Sequence, residues 1–499
     1  MYENGNGKVE YDKHYTNRVM ILLAFIVIIV MYVEGMLTPS LPSIASEFGV
    51  SVSQVSLVLS SYLVGGVALT PVVGKLGDIY GKKKILSVSL IVYAIFVSVT
   101  GFSPNFTFMV VSRAIQGIGL TILPLGMSLI REEFPKEMIP KAQALISAMF
   151  GAGFAVSLPL GSLVSNDFGW RWTYHTAVPF VIIATIVAII IIKESKYKRP
   201  EVKIDYVGAA LLASVLGLFV FALSQGPVWG WISTRIIGMV ATSAILIAPL
   251  VAYESRYTKK GGEAILNFRL LAQRNVMVTN FAITISGFGM FLAMQALTYR
   301  FELPIPDGLG KSILNTGISL VPFAIGMLIF APITGQLISR VGVKPFAVLG
   351  SVVTAIGFIF QSLVPSYNMV LVLEFVTGAG LSMINASVIN FLILTVDPRD
   401  MGLATGMNGT FRSVGSAIGA PIAGTLLSTF TASYTIAYVG GHPITKILPS
   451  HLAFYYAFVI AAATFVASIV TIVFGREVLG KRSAKETERR KFEAEFQAK

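Results

Sequence analysis

The sequence contains no cysteine, and only 13% of its 499 residues are charged. A soluble domain carries roughly 25%. Without cysteine, disulfides, thiol nucleophiles and cysteine-ligated metals are excluded. Histidine is nearly as scarce. His14, His175, His442 and His451 are scattered without ligand spacing, so no metal site is expected. No Ser/His/Asp cluster suggests catalysis, and no soluble stretch is long enough for a large sensor domain. A membrane enzyme or receptor is therefore the weaker reading, and no catalytic residue is assigned. What the chain does have is apolar sequence, 55% of it, which reads as a polytopic membrane protein. The net charge of +13 is explained better by basic loops on one side of a membrane than by a nucleic-acid partner. The first apolar run is too long for a signal peptide and lacks a small-residue cleavage site, so no cleavable signal is expected.

A membrane-crossing helix needs about 20 mostly apolar residues. Fourteen such runs can be placed, at 19–38, 53–73, 84–102, 107–130, 141–164, 173–192, 206–224, 232–252, 276–298, 313–338, 345–364, 368–394, 402–427 and 452–474. Lipid cannot satisfy irregular backbone, so each is expected to be a helix and the fold to be all-α with 14 transmembrane helices. With the N-terminus in the cytoplasm, 31 of the 38 basic residues fall on the cytoplasmic side and 5 outside. The remaining two, Arg113 and Arg412, lie inside spans. That bias predicts cytoplasmic termini and a multi-pass protein of the cell (plasma) membrane, with the lipid bilayer as its surroundings.

The chain also repeats itself. Gly74-Lys-Leu-Gly-Asp-Ile-Tyr-Gly-Lys-Lys-Lys84 returns in outline as Gly335-Gln-Leu-Ile-Ser-Arg-Val-Gly-Val-Lys-Pro345, and Gly74/Gly335 and Gly81/Gly342 are each 261 residues apart. A fixed offset of this size implies duplicated halves. The predicted organisation is a cytoplasmic segment 1–18, a six-helix bundle 19–192, and an inserted pair of helices with charged flanks at 193–275. A second six-helix bundle at 276–474 and a charged cytoplasmic tail at 475–499 follow. Within the repeat, the glycines are expected to allow a tight turn at a helix end, with Asp78 as a charge beside it. The segment is predicted to act as a cytoplasmic latch, with Asp78 near residues 401–403 and near Arg131.

Charge inside a span costs a few kcal/mol at least, so such residues are the most informative ones. Four stand well inside: Glu34, Arg113, Glu374 and Arg412. Glu34 is about 22 Å from the cytoplasmic end of the first span and Arg113 about 9 Å from the outer end of the fourth, which puts both in the outer half. They can form a static ion pair or mark an ion or substrate path. The stretch Arg113-Ala-Ile-Gln-Gly-Ile-Gly-Leu120 is matched 261 residues on by Glu374-Phe-Val-Thr-Gly-Ala-Gly-Leu381, with the charge reversed. Pro159 and Gly161 in the fifth span, and Pro421 and Gly424 in the thirteenth, allow bending or simply close packing. In the outer loop 428–451, Tyr434-Thr-Ile-Ala-Tyr-Val439 and Ile444-Thr-Lys-Ile447 flank a Gly-Gly turn, which predicts a short β-hairpin, with gating of the outer mouth as its expected role.

Together these motifs resemble the major facilitator superfamily. Residues 74–84 look like its signature loop between helices 2 and 3, and Arg113-Ala-Ile-Gln-Gly-Ile-Gly looks like its helix-4 arginine motif. Fourteen spans point to its drug/proton antiporter family. So do Gly169-Trp-Arg-Trp172, Ile204-Asp-Tyr-Val-Gly208, and Arg412 within Gly409-Thr-Phe-Arg-Ser-Val-Gly415. Two stretches depart from the pattern. Val33-Glu-Gly-Met-Leu-Thr-Pro-Ser-Leu-Pro42 has Glu34 near the place of the family's aspartate, and Ser157-Leu-Pro-Leu-Gly-Ser162 stands where Gly-Pro-x-x-Gly-Gly is usual. The resemblance implies a secondary transporter, not an enzyme, that works as a monomer by alternating access. It would export amphipathic cationic small molecules in exchange for protons, with no cofactor beyond the coupling ion. Uptake or export of a metabolite or lipid by the same fold is the alternative. The expected roles are proton coupling at Glu34 and Arg113 and cavity contacts at Gln116, Glu374 and Arg412. Gly74, Asp78, Gly81 and Arg131 would form the cytoplasmic gate.

Overall fold

A computed structural model of the chain describes residues 2–3, 9–10, 13–135, 138–194, 198, 201, 204–262, 264–305, 307–363, 366–396, 401–439 and 442–477. The predicted charged tail therefore lies almost wholly outside the described residues, as do parts of the N-terminal segment and of the flank 193–203. Two-residue strands β1 (Tyr2–Glu3) and β2 (Val9–Glu10) pair at the start. The first run forms α1 (Lys13–Gly35), a 3-10 turn (Thr38–Ser40) and α2 (Leu41–Phe48), and the second forms α3 (Val52–Val55) and α4 (Leu57–Tyr80). Next come α5 (Lys82–Thr100), α6 (Phe106–Gln116), α7 (Gly119–Glu133), α8 (Ile139–Phe168) and α9 (Trp170–Ile191). The inserted pair is α10 (Tyr206–Trp229) and α11 (Thr234–Lys259). After the short α12 (Phe268–Leu271) come α13 (Arg274–Glu302), α14 (Ile313–Ser319), α15 (Val321–Val341), α16 (Val343–Leu363), α17 (Tyr367–Thr395) and α18 (Met401–Thr429). Strands β3 (Thr431–Val439) and β4 (His442–Pro449) and the helix α19 (His451–Val473) complete the chain.

Among the described residues, twelve helical stretches are long and apolar enough to cross a membrane. Two further helices, α8 with 30 residues and α18 with 29, occupy the fifth and thirteenth predicted runs. Runs expected to be single helices are interrupted, 107–130 and 313–338 among them. Just beyond the first run, Pro39 stands in the 3-10 turn and Pro42 in the first turn of α2, since proline cannot donate an intrahelical hydrogen bond. Pro322, at the second position of α15, marks the step from α14. The fourth run tightens at Gly117, where Ile118 N bonds Ile115 O at 3.1 Å and Thr121 N bonds Ile118 O at 3.0 Å. The backbone of α4 lies close at this point: a Cβ on Gly117 would stand 2.5 Å from Tyr62 O.

The helices gather into two compact units. The first comprises Met1–Ile265, Met294–Val321 and Ala420–Phe454. Lipid tails are as apolar as leucine, so close backbone approach and interhelical hydrogen bonds take over from hydrophobic burial. Here α1 lies against α8 at glycines. A Cβ on Gly153 would be 2.8 Å from Ile28 O, and one on Gly161 would be 2.5 Å from Met36 O. Polar links add to this. Ser53 N donates to Ser428 Oγ at 3.0 Å, Ser224 Oγ to Ser53 O at 2.6 Å, and Thr425 Oγ1 to Leu223 O at 2.9 Å. In the inserted pair, Gly208 N donates to the capping Asp205 Oδ1 at 2.7 Å. Glycine is required there, because a Cβ would collide with Asp205 and lie 2.6 Å from Glu254 Oε1. That explains the Asp-x-x-Gly spacing physically.

The second unit comprises Leu266–Ala293, Pro322–Gly419 and Tyr455–Lys499. Helices α16 and α17 meet where a Cβ on Gly350 would be 2.6 Å from Gly380 O. Phe358 stacks on Phe458 and tilts against Phe465, with ring centroids 6.5 and 5.7 Å apart.

The predicted hairpin is present and longer than expected. Strands β3 and β4 pair from Thr431↔Pro449 to Val439↔His442, with a register shift between Thr435 and Ala437, and the turn residues Gly440 and Gly441 lie outside the described residues. A lone two-stranded hairpin is barely stable in water, and this one is tethered. The Tyr434 hydroxyl donates to Asp307, which also accepts from His451 N at 2.9 Å. Burial first, and then the Asp307 carboxylate, push the Tyr434 phenol above its ordinary range, so it stays a donor.

Candidate functional site

Arg113 is the centre of the best-formed polar site. It lies in the last turn of α6, just before the Gly117 interruption, and its side chain is fully buried. Its Nε donates to Val58 O of α4 at 2.9 Å, and its Nη1 donates to Val33 O of α1 at 3.5 Å and to Gln116 Oε1 at 3.2 Å. The guanidinium carbon sits 4.6 Å from the centre of the Tyr62 ring. Gln116 extends the network to α5, donating from Nε2 to Phe96 O at 2.8 Å and to Thr100 Oγ1. One arginine and one glutamine thus hold four helices together. The third guanidinium nitrogen, Nη2, is buried and has no hydrogen-bond partner among the described residues.

Glu34 follows directly on Val33, whose carbonyl accepts from Arg113. It is 8% exposed, one residue before Gly35, whose backbone lies against Phe154 and Ser157 of α8. Glu34 and Arg113 both act electrostatically on Tyr62 and Tyr93, and Arg113 also acts on Tyr174, so these groups form one buried cluster. The structure therefore brings together the two residues expected to couple protons, with Gln116 beside them.

Glu374, the counterpart of Arg113, lies in the second unit. It is fully buried on α17, where Gln361 Nε2 of α16 donates to its Oε1 at 2.7 Å. Arg412 is half-buried on α18, and a Cβ on Gly287 would be 2.5 Å from its carbonyl. Pro159 and Pro421 lie within the unbroken helices α8 and α18. Gly161 and Gly424 beside them are points of close backbone approach; a Cβ on Gly424 would be 2.8 Å from the Ser53 Cα.

The 74–84 segment differs from expectation. α4 runs on through Gly74 and Asp78 to Tyr80, because these residues can be solvated as helix, and no atom crowds the position of a Cβ at Gly74. Asp78 pairs with Lys82 at 3.5 Å, and Lys82 also contacts Glu132, the residue after the exposed Arg131. The turn is made by Gly81, whose φ of +108° only glycine adopts freely.

Sequence reasoning missed what binds to this turn. Glu194, just after α9, accepts from Lys83 N and Lys84 N, both at 3.2 Å. The second half repeats the device. Gly342 has φ +112°, and Glu477, just after α19, accepts from Val343 N at 3.0 Å and Lys344 N at 2.9 Å. Each carboxylate satisfies two orphan N–H groups at a positive helix end. Glu477→Gln is expected to lower stability by about 1–2 kcal/mol, and the more exposed Glu194→Gln by less than about 1 kcal/mol. Thermal unfolding of the purified variants measures this, and an unchanged midpoint in Glu477→Gln would remove the capping role.

The sequence model of the Major Facilitator Superfamily matches residues 23–261 and 276–498. The chain belongs to this superfamily. An uncharacterized MFS-type transporter of Mycobacterium tuberculosis (strain ATCC 25618 / H37Rv) is 29% identical over 411 residues, covering 81% of this chain and 58% of that protein. The chain thus spans less than two thirds of that relative's length. The multidrug transporter protein MdtP of Bacillus subtilis (strain 168) is 25% identical over 76% of this chain and 69% of its own. The crystal structure of the human organic anion transporter MFSD10 (TETRAN) superposes with a TM-score of 0.57 over 92% of this chain and 99% of that one, at 14% identity, a likeness of fold. The family is one of transporters, and this member is a multi-pass membrane protein.

Proposed function

We propose that this superfamily member is a proton-coupled exporter of amphipathic cationic small molecules. It works by alternating access in the plasma membrane, as a monomer with both termini in the cytoplasm. In this reading α8 and α18 are the fifth and thirteenth of fourteen spans. Two six-helix halves, 19–192 and 276–474, rock about a site near the midplane, with the pair at 193–275 inserted between them.

The observation that carries the reading is the buried Arg113–Gln116 network beside Glu34. A carboxyl in such surroundings suits proton exchange, since burial and a nearby cation act on it in opposite directions. When Glu34 is ionised, the spare Nη2 of Arg113 can take it as a partner. When Glu34 is protonated, that attraction is lost and α1 is less firmly held to α6. Gln116, Glu374 and Arg412 supply polar contacts to substrate, and Glu374 is the second acidic candidate. Asp78, with its Lys82 partner, and the Gly81 turn belong to the cytoplasmic gate. Pro159, Gly161, Pro421 and Gly424 let α8 and α18 bend. The name of the MdtP relative, a multidrug transporter, supports the drug-like substrate class.

The test is flux in proteoliposomes. With an imposed proton gradient, addition of a fluorescent cationic dye is expected to dissipate the gradient, and the dye is expected to move against the proton flow. Dye movement in the same direction as protons would replace export with uptake. No coupling with any of a panel of cationic dyes would overturn the proton-linked reading.

A further inference from the structure

The offset of 261 residues that relates the halves carries Glu34 onto Gln295 and Thr38 onto Tyr299. Both lie on α13, and Glu302 follows at its end. The three stand at positions i, i+4 and i+7, on one face of the helix, in a row about 10 Å long. Gln295 is fully buried and Tyr299 is 3% exposed. Both polar atoms of the Gln295 amide, the Tyr299 hydroxyl and Glu302 Oε1 are buried without a hydrogen-bond partner among the described residues. The Glu302 carboxylate lies close enough to act electrostatically on Tyr299. Gln295 Nε2 rests 3.3 Å from where a Cβ on Gly424 would stand, so α18 packs closely beside the amide at that glycine. The row belongs wholly to the first compact unit.

Native proteins leave few buried polar groups unpaired, because each orphan costs free energy. Three on one helix face offer a ligand's polar groups the partners that the protein itself does not supply. We propose that Gln295, Tyr299 and Glu302 form a binding row for cations that carry hydrogen-bond donors. Glu302 attracts the positive charge, the Gln295 carbonyl and the Tyr299 oxygen accept from N–H or O–H groups, and the Gln295 amide N–H donates to a polar acceptor. This rests on the export reading above, since it names which of the candidate substrates the protein prefers.

Two probes separate charge from hydrogen bonding. Ethidium is a permanent cation with two aromatic amino groups, whereas tetraphenylphosphonium is a permanent cation with no N–H or O–H. Binding of each to the purified full-length protein in lipid nanodiscs, by fluorescence and by competition, gives the Kd. Gln295→Leu keeps the volume and removes the orphaned amide. It is expected to weaken ethidium about tenfold and tetraphenylphosphonium by less than about twofold. Its thermal midpoint should be unchanged or raised, because no satisfied hydrogen bond is lost. Glu302→Gln is expected to weaken both probes about tenfold. Unchanged ethidium affinity in Gln295→Leu would overturn the row. So would equal weakening of both probes with a lowered midpoint, which is the signature of a structural residue. If the wild-type protein binds neither cation, the export reading and this inference fall together. Wild-type binding that the variants leave intact removes this inference alone.

Discussion

Reconstituted Glu34→Gln is expected to fold and to bind substrate, but to show no substrate movement driven by a proton gradient. Glutamine has the same length as glutamate and can still accept and donate hydrogen bonds, so the α1–α8 contact at Gly35 and Gly153 should survive. What it cannot do is gain and lose a proton. A single buried substitution of this kind changes stability by about 1–2 kcal/mol, which a thermal midpoint will report. The functional loss should be complete by comparison: gradient-driven flux falls to that of protein-free liposomes, while exchange of substrate without a gradient persists. Wild-type gradient dependence in the variant would remove Glu34 as the carrier. Loss of binding together with flux would make it a substrate residue instead.

Much of the fold could be read from the sequence, because lipid permits so few backbone solutions. The apolar runs, the 261-residue offset and the Tyr/Thr/Ile/Val strands around Gly440 and Gly441 each reflect a constraint that acts locally. The helix interruptions were harder to see. The fourth run breaks at Gly117, where the backbone of α4 comes close, and nothing within 107–130 says which helix will be adjacent. The glutamate caps were harder still. Glu194 reaches backbone 110 and 111 residues away, and Glu477 reaches 133 and 134. Each looked like one more charge in a basic flank. Gln295 could have been found, since the offset that matched Arg113 to Glu374 also matches Glu34 to Gln295. Attention to charged residues alone passed over a neutral one. That the second half carries an amide and a carboxylate where the first carries a carboxylate and an arginine is a physical reason to expect the halves to differ in task.

Arg113→Lys is expected to damage both stability and transport, although it conserves the charge. Lysine keeps the charge but offers a single ammonium in place of a planar fork. Arg113 uses that fork in several directions at once: Nε to Val58 O, Nη1 to Val33 O and Gln116 Oε1, and the flat face over Tyr62. One ammonium cannot reach both the α4 and α1 carbonyls and also lie flat on the ring. At least one carbonyl and the Gln116 oxygen would be left buried and unpaired, at about 1–3 kcal/mol each. The expected loss of stability is therefore about 2–4 kcal/mol, and transport should fall about 100-fold, which corresponds to about 2.8 kcal/mol in the coupled step. Gln116→Leu serves as the companion variant, because it removes the Phe96 and Thr100 links while leaving the two carbonyl contacts of Arg113 in place. If the network only holds the helices together, the two variants should lose transport in proportion to their thermal midpoints. If Arg113 answers the charge on Glu34, Arg113→Lys should lose the pH dependence of transport while Gln116→Leu retains it at reduced rate. Transport within twofold of wild type in Arg113→Lys, with an unchanged midpoint, would show that the fork is not needed and would remove Arg113 from the coupling site.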